Sequence, residues 1–227
     1  MIRIAILLSG RQGRGSNMQA IAAACASGQI NGTVAAVIGN AAESPALALA
    51  RELGLPTQTI PSRGITSRLG EEFYADALRL ALDIAQADLV CLAGYMRKVP
   101  DPVVAEYSGR LMNIHAALLP AFGGQGMYGL HIHEAVLAYG AKVSGCTVHF
   151  VDEQYDTGPI ILQSVVPVEE DDTPETLAAR VLVAEHAAYP RAVAIFAAGR
   201  LSLEGRRVRI TEPTPSIAFA VVSRVRS

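Results

Sequence analysis

The chain has 227 residues, of which 51% are hydrophobic and 18% charged. This composition excludes intrinsic disorder and supplies enough apolar side chains for the core of one α/β domain or two small ones. The 19 Lys and Arg nearly balance the 21 Asp and Glu, so the overall charge argues against a nucleic-acid partner. Three cysteines without CxxC spacing argue against a disulfide framework and a thiolate zinc site. With no segment long enough for a signal peptide or a membrane span, the sequence predicts a cytoplasmic protein without a membrane partner.

The first half of the chain alternates short aliphatic segments with alanine-rich segments of helical periodicity. This alternation is typical of βαβ units and a parallel sheet. Because the short segments are almost continuously apolar, we expect helices on both faces of that sheet. The pattern predicts strands at residues 2–9, 33–39, 56–60, 89–93 and 111–115, and helices at residues 17–27, 45–53 and 71–86.

The pattern changes after residue 115. The connection between two extended segments is short and contains Asp156 and Gly158, which predicts antiparallel strands rather than another crossover helix. The predicted elements are a short helix from His131, strands at 143–151 and 160–168, a helix at 173–199 capped by Thr173, and a strand at 201–210. We therefore expect a Rossmann-like α/β fold with a mostly parallel sheet and antiparallel strands added in its C-terminal half. We expect this fold to form a single domain over residues 1–210, followed by a C-terminal tail, 211–227.

The loop between the first strand and the first helix is rich in glycine. Free backbone N–H groups and the helix dipole make such a position suitable for an anion, so the N–H groups of Gly15, Ser16 and Asn17 are candidates for binding a phosphate. The loop lacks the Gly-Lys-Ser/Thr ending of a Walker A motif and the register of GxGxxG. From these residues alone, an ordinary tight turn between strand and helix explains the loop equally well.

Asn113 and His115 end the predicted strand 111–115. Residues two apart in a strand share a face, so both side chains should lie at the carboxyl edge of the sheet, where open α/β folds bind ligands. An amide donor and an imidazole suit acyl chemistry, in which one stabilises an oxyanion and the other moves protons. Asp156, in the turn between the antiparallel strands, would raise the pKa of His115 and orient its ring if the two were adjacent. Taken singly, a histidine at a strand end and an aspartate in a turn are usually structural.

Other histidines give weaker signals. The pair His131 and His133 lacks further ligands at convincing spacing, so we expect no metal site. His149 is close enough in sequence to Asp156 to contact and orient its carboxylate without contacting a ligand itself.

Taken together, these segments resemble the folate-dependent formyltransferase family, from residue 1 to about residue 210. Each segment alone is weakly specific, but six in the same order are highly specific. The matching segments are 15–21 (GSNMQAI), 92–97 (LAGYMR), 109–120 (GRLMNIHAALLP), 145–151 (GCTVHFV), 156–161 (DTGPII) and 185–190 (EHAAYP).

The resemblance implies an activity: transfer of a formyl group from 10-formyltetrahydrofolate, a co-substrate, to the amine of glycinamide ribonucleotide in de novo purine biosynthesis. It assigns catalysis to Asn113, His115 and Asp156, with a protonated His115 held in its charged form by Asp156. No metal is implied, and the partners are these small molecules, bound by a monomer or a homodimer.

The resemblance also assigns binding residues. It implies that Gly15, Ser16 and Asn17 bind the ribonucleotide phosphate and that Glu185 binds the ribose. The folate-binding residues that it implies are Met96, Arg97, Val99, Val104, Leu111 and Asp152. The chain departs from the family at three places. It has Ala116-Ala117 where Pro-Ser is usual, and it has extra residues before Gly15, among which an arginine is a candidate phosphate contact. Its glycine-rich segment, residues 123–129, is longer and is a candidate lid.

Three alternatives stay open. A formyltetrahydrofolate hydrolase would use water in place of the amine, and a related formyltransferase would act on another amine. A non-catalytic nucleotide- or folate-binding module would share the fold without the reaction, since fold does not fix function. Retention of all three residues Asn113, His115 and Asp156 favours catalysis.

Overall fold

A computed structural model describes residues 1–10, 14–62, 64–65 and 67–211 of the chain. Residues 11–13 of the glycine-rich loop and residues 212–227 of the predicted tail lie outside the described part. The described elements are β1 (Ile2–Leu8), α1 (Ser16–Ala26), β2 (Gly32–Gly39), α2 (Pro45–Glu52), β3 (Thr57–Thr59), α3 (Arg68–Ile84), β4 (Leu89–Leu92), α4 (Asp101–Glu106), β5 (Leu111–His115), α5 (Leu130–Tyr139), β6 (Val143–Phe150), β7 (Ile160–Pro167), α6 (Pro174–Ala197), β8 (Leu201–Glu204) and β9 (Arg207–Ile210).

Seven strands form one sheet in the order β3-β2-β1-β4-β5-β6-β7. The strands β1 to β5 pair in parallel, and β6 and β7 extend the sheet in antiparallel fashion. The expected Rossmann-like fold is thus confirmed. The chain proceeds outwards from β1 to β2 and β3 on one side and continues with β4 on the other. This reversal leaves a crevice at the carboxyl ends of β1 and β4, where open α/β folds bind ligands.

Helices cover both faces of the sheet, as expected. In the central strand β1, Ile4 and Ile6 pack into a core shared with α1, α2, α5 and α6, whereas Ala5 and Leu7 pack into a second core with α3 and α4. All four side chains are fully buried. Burial of an isoleucine or leucine side chain stabilises a fold by about 1.5–3 kcal/mol, so the alternation of β1 fixes its register between the two layers.

The predicted N-cap of the long helix is confirmed. The Thr173 hydroxyl accepts a hydrogen bond from the backbone N–H of Thr176, whose own hydroxyl accepts one from the Thr173 N–H. This reciprocal pair satisfies donors that the first turn of a helix leaves free. Within the described part of the chain, no helix is long and apolar enough to cross a membrane.

Two local predictions are wrong or incomplete. Residues 201–210 were expected to form a single strand, but they form a separate two-stranded antiparallel sheet, β8 and β9. The chain reverses at Gly205, which adopts a φ of 59° that glycine tolerates best. The short helix α4 was not predicted, because six residues are too few to show a helical period.

Candidate active site

A cavity of about 1020 Å³ opens at the carboxyl ends of β4 and β5 and beside the start of α1. This volume is at the upper end of the range for small-molecule binding pockets. The predicted catalytic residues Asn113, His115 and Asp156 all line it, as do the predicted binding residues Asn17 and Glu185. The fold therefore brings together side chains that are far apart in the sequence.

Asn113 and His115 project from the end of β5 onto the same face, as the two-residue spacing predicts. His115 is buried, and its Nε2–H donates a hydrogen bond of 2.8 Å to the carbonyl oxygen of Phe122. Its Nδ1 lies 3.5 Å from Oδ2 of Asp156. A doubly protonated His115 would thus find an acceptor for each of its two N–H groups.

Asp156 is positioned by the connection between β6 and β7. It adopts a left-handed backbone conformation, φ 57°, and its Oδ2 accepts a hydrogen bond of 2.9 Å from the backbone N–H of Gly124. Two residues later, a Cβ on Gly158 would lie 1.8 Å from the carbonyl oxygen of Phe150, so only glycine fits there. The chain can return into β7 and present Asp156 to the cavity only because of this close backbone approach.

His149 supports both Asn113 and Asp156. Its Nδ1 faces the carbonyl oxygen of Phe150 at 2.8 Å, which requires a proton on Nδ1. Nε2 lies 3.2 Å from the side-chain nitrogen of Asn113 and 3.7 Å from Oδ1 of Asp156. It accepts from the Asn113 amide when unprotonated and stabilises the Asp156 carboxylate when protonated. The expectation that His149 lies beside Asp156 is confirmed. The contact with Asn113 was not expected from the sequence.

The electrostatics of His115 correct one expectation. Asp156 and the Phe122 carbonyl favour the charged imidazole, as expected, but burial opposes it more strongly, so the pKa of His115 is lowered. The pKa of Asp156 is also lowered: burial acts to raise it, but His149, His115 and the Gly124 N–H together outweigh burial. At neutral pH the free site therefore holds a neutral imidazole beside a charged carboxylate.

The start of α1 forms the other end of the cavity. Gly15 is its N-cap with φ 73°, and a Cβ there would lie 2.9 Å from Cβ of Ala46. The N–H groups of Ser16 and Asn17 belong to the first helical turn and have no partner within the helix, which suits an anion. Gly15 and Ser16 precede the cavity-lining Asn17 directly. Arg14 also lines the cavity, whereas Arg11 lies outside the described residues.

Glu185 projects from α6 toward the same end. Its Oε2 accepts a hydrogen bond of 2.7 Å from the side-chain nitrogen of Asn17. Burial raises the pKa of Glu185, and the Asn17 hydrogen bond offsets this only in part. Leu182, one turn earlier in α6, also lines the cavity, so this wall is partly apolar.

The predicted folate-binding residues fall into two groups. Met96, Arg97, Val99 and Asp152 line the cavity. Val104 and Leu111 are among the described residues but not in this lining, because both are buried in the core beneath α3 and α4. Val104 and Leu111 pack in the same core cluster as the cavity-lining Val99 and so hold this wall of the cavity in place.

Arg97 is held away from the cavity centre. Its guanidinium donates to Glu71 on α3 and lies 4.8 Å from the centre of the Tyr74 ring. Asp152 is likewise held within its own loop, where its Oδ1 accepts hydrogen bonds from the Gln154 N–H and the Thr157 hydroxyl. Arg97 and Asp152 therefore form part of the cavity wall, but their polar groups are already bonded to other protein groups.

Sequence reasoning missed His133 as a residue of the cavity. His131 and His133 fall on different sides of α5: His131 is exposed and pairs with Glu134, whereas His133 is buried and lines the cavity. Burial lowers the pKa of His133. Residues 124–129 of the glycine-rich segment, the candidate lid, line the cavity as well. Within the described residues, no group of three or more His, Cys, Asp and Glu is arranged to hold a metal.

Comparison with known proteins identifies the family. The model of the formyl transferase family matches residues 2–193, most of the chain. The chain belongs to the formyl transferase family. The family resemblance seen in the sequence is thus confirmed, and with it the assignment of the chain to an enzyme family rather than to a binding module.

Individual members of the formyl transferase family are close relatives. Phosphoribosylglycinamide formyltransferase of Escherichia coli is 42% identical over 202 residues, covering 89% of this chain and 90% of the relative. The chloroplastic enzyme of the same name from Arabidopsis thaliana is 42% identical over 193 residues, covering 84% of this chain and 64% of the relative. The chain therefore spans just under two thirds of the plant protein.

Solved structures of the family agree with the fold. Glycinamide ribonucleotide transformylase 1 from Symbiobacterium toebii superposes with a TM-score of 0.85 at 46% identity, covering 93% of this chain and 95% of that chain. A formyltetrahydrofolate deformylase from Pseudomonas syringae has a TM-score of 0.80 at 24% identity and covers 93% of this chain and 66% of that chain. The second likeness shows the shared fold alone.

Proposed function

We propose that this formyl transferase moves the formyl group of 10-formyltetrahydrofolate to the amine of glycinamide ribonucleotide. The observation that carries the proposal is the convergence of Asn113, His115 and Asp156 at the centre of a cavity whose one end has free helix N–H groups and Glu185. The relatives named for this reaction, including the Escherichia coli enzyme, support the choice of substrates.

The reaction follows from the placement of these groups. The neutral amine attacks the formyl carbon, a C–N bond forms, and the carbonyl electrons move to oxygen. The Asn113 side-chain N–H donates to this oxyanion, and a positive His115 stabilises it by its charge. The proton lost by the attacking amine passes by way of Asp156, directly or through water, to the folate N10. The bond from carbon to N10 then breaks, and tetrahydrofolate leaves.

The lowered pKa of His115 fits this sequence of events. In the free enzyme the imidazole is neutral, and its single proton is held by the Phe122 carbonyl. As the substrates bind, His115 takes up a proton on Nδ1 from water. The charged imidazole becomes more favourable as negative charge develops on the formyl oxygen, because Asp156 and the oxyanion then both oppose the cost of burial. The charge on His115 is thus greatest in the transition state, where stabilisation raises kcat.

The ribonucleotide fits the end of the cavity at α1. The N–H groups of Gly15, Ser16 and Asn17 would bind its phosphate at the positive end of the helix dipole, with Arg14 adding a charged contact. Glu185, held by Asn17, would accept hydrogen bonds from ribose hydroxyls. This placement directs the glycinamide amine toward His115 and Asn113.

The folate fits the opposite wall, formed by Met96, Val99 and the loop that begins at Asp152. The apolar side chains suit the flat pterin ring, and main-chain groups of the loop supply its hydrogen bonds. Val104 and Leu111 contribute by fixing this wall from the core.

A deformylation assay tests the proposal. Loss of the formyl group from 10-formyltetrahydrofolate is followed spectrophotometrically with and without glycinamide ribonucleotide, and the formylated product is measured by mass spectrometry. We expect turnover only when the ribonucleotide is present, with one formylated product per folate consumed. Equal turnover without the ribonucleotide would indicate a hydrolase. Turnover only with another amine would indicate a different acceptor, and binding of both ligands without turnover would indicate a non-catalytic module.

A further inference from the structure

The end of β1 is tied to the folate wall by Ser9. The backbone N–H of Ser9 donates to the carbonyl oxygen of Gly94 at 3.1 Å, and the Ser9 hydroxyl accepts a hydrogen bond of 2.8 Å from the backbone N–H of Met96. Ser9 is buried, with 6% of its surface exposed. One residue thus holds the turn that follows β4 at two positions, Gly94 and Met96.

A second path connects the same two regions. The Gly10 N–H donates to the Asn40 side-chain oxygen at 2.9 Å, and the Asn40 side-chain nitrogen donates to the Ser62 hydroxyl at 3.1 Å. The guanidinium of Arg97 reaches the carbonyl oxygen of Ser62 at 3.5 Å. Together with the Ser9 contacts, these hydrogen bonds close a ring that we call the Ser9–Asn40 ring; its members are Ser9, Gly10, Asn40, Ser62, Met96 and Arg97.

The Ser9–Asn40 ring connects segments that reach both ends of the cavity. On one side, Gly10 begins the loop that leads to Arg14 and Asn17, which line the ribonucleotide end. On the other side, Met96 and Arg97 line the folate wall. The turn at 94–98 has no strand or helix hydrogen bonds of its own, so its position depends on the contacts that anchor it.

We propose that Ser9 is a positioning residue for the folate: its hydroxyl fixes the turn at 94–98 against the end of β1, so that the folate wall is already formed before the folate binds. The proposal rests on the proposed function for its choice of ligand. Pre-organisation of a wall removes an ordering cost from binding, which affects the substrate and the transition state alike. Loss of such an interaction raises KM and leaves kcat unchanged.

The test is a comparison of Ser9→Ala with wild type. The substitution leaves the Met96 N–H without its acceptor and touches no group that faces either substrate's reacting atoms. We expect the KM for 10-formyltetrahydrofolate to rise about tenfold, the factor that corresponds to one neutral hydrogen bond of about 1.4 kcal/mol. The KM for the ribonucleotide and kcat should change by less than about twofold.

Ser144→Ala is the matched control. Ser144 is a buried serine of β6, and its hydroxyl has no hydrogen-bond partner in the described part of the chain. The control therefore removes the same atom from a buried position without breaking a hydrogen bond, and both KM values should stay unchanged. Thermal unfolding of each variant shows whether a change in KM accompanies a general loss of stability.

Asn40→Ala is the second variant, because it breaks the other path of the ring. It removes the acceptor of Gly10 and the link to Ser62, so the KM values for both substrates should rise. An unchanged folate KM in Ser9→Ala, or equal changes in Ser9→Ala and Ser144→Ala, would overturn the role of Ser9. If Ser9→Ala fails to fold, Ser9→Cys, whose thiol is a weak acceptor, takes its place, and an unchanged folate KM in that variant would overturn the role of Ser9 instead.

Calorimetry separates this failure from failure of the proposed function. Tetrahydrofolate is titrated into wild-type protein. If it does not bind, the proposed function is refuted together with the role of Ser9. If it binds to wild type and to Ser9→Ala with equal affinity, only the role of Ser9 is refuted.

Discussion

The side-chain nitrogen of Asn17 donates a hydrogen bond of 2.7 Å to Glu185, 168 residues further along the chain. This contact joins the first turn of α1 to the middle of α6 and closes one end of the cavity. It also holds a carboxylate in a position where burial raises its pKa. A group that is costly to bury and lines a cavity is better explained by ligand binding than by stability.

Glu185→Gln is therefore expected to stabilise the protein while weakening its binding of ribonucleotide. Because the pKa of Glu185 is raised on folding, wild-type stability is lost as the pH rises from the ordinary value of 4.5 through the folded-state pKa. The neutral amide avoids this loss, so the midpoint of thermal unfolding at pH 8 should increase by about 2–4 °C, while the KM for the ribonucleotide increases.

The same measurement at pH 4 supplies the internal control, because Glu185 is mostly protonated there in both the folded and the unfolded state and the gain should be much smaller. Glu134→Gln, a change at an exposed carboxylate of α5, should leave the unfolding midpoint at pH 8 near that of wild type. A lower midpoint for Glu185→Gln at pH 8 would contradict the prediction.

Turnover should depend on His115 and Asp156 far more than folding does. We expect His115→Ala and Asp156→Asn each to lower kcat by about 100-fold or more, since each removes a proton-transfer or charge-stabilising partner of the transition state. Asp156→Asn keeps the shape of the side chain and the acceptor for Gly124, so its unfolding midpoint should remain close to that of wild type. Near wild-type kcat in either variant, measured at saturating substrates, would refute the mechanism.

His149 should affect the rate through the residues that it holds. His149→Leu removes the acceptor of the Asn113 amide and a neighbour that lowers the pKa of Asp156. We expect kcat to fall about tenfold, as for loss of one hydrogen bond, with the KM values nearly unchanged. The acid limb of the pH–rate profile should also move to higher pH, because the carboxyl of Asp156 loses a stabilising partner.

The control for His149 is His131→Leu, the same change at an exposed histidine of α5. It should alter neither kcat nor the pH–rate profile. A His149→Leu variant with a lower kcat but an unmoved acid limb would show that His149 acts on Asn113 alone.

Much of this site was predictable from local sequence patterns. The two-residue spacing of Asn113 and His115 gives their common face. The Asp-x-Gly pattern predicts only that Asp156 lies in a turn, and its place beside His115 was implied by the family resemblance alone. The pKa of His115 was not predictable, because the balance between burial and the Asp156 charge depends on how tightly distant segments pack. Likewise, Val104 and Leu111 match the family in sequence, but only the packing of α3 and α4 shows that they lie behind the wall.

The reversal at residues 205–206 shows the limit of pattern reasoning for strands. Apolar and polar residues alternate on both sides of Gly205, so a single strand and a tight hairpin fit the same sequence. The hairpin is decided by long-range contacts: β9 packs near β7, and the Thr211 N–H donates to the carbonyl oxygen of Arg200.

Gly158 is the position at which a single methyl group should disrupt the site most. A Cβ there would lie 1.8 Å from the carbonyl oxygen of Phe150, so Gly158→Ala must separate the end of β6 from the start of β7. We expect a loss of about 3 kcal/mol in the free energy of unfolding, measured by urea denaturation. Because Asp156 precedes this glycine by two residues, kcat should fall as well.

Gly28→Ala is the control for Gly158→Ala, because it introduces a side chain at a left-handed backbone position without a steric contact. Gly28 has φ +78° with open space around it, so the substitution should cost only about 1–2 kcal/mol, the penalty of a left-handed conformation. It lies after α1 and away from the cavity lining, so kcat should be retained. If both variants lost equal stability and Gly158→Ala kept wild-type kcat, the close approach of Gly158 to Phe150 would not be what positions Asp156.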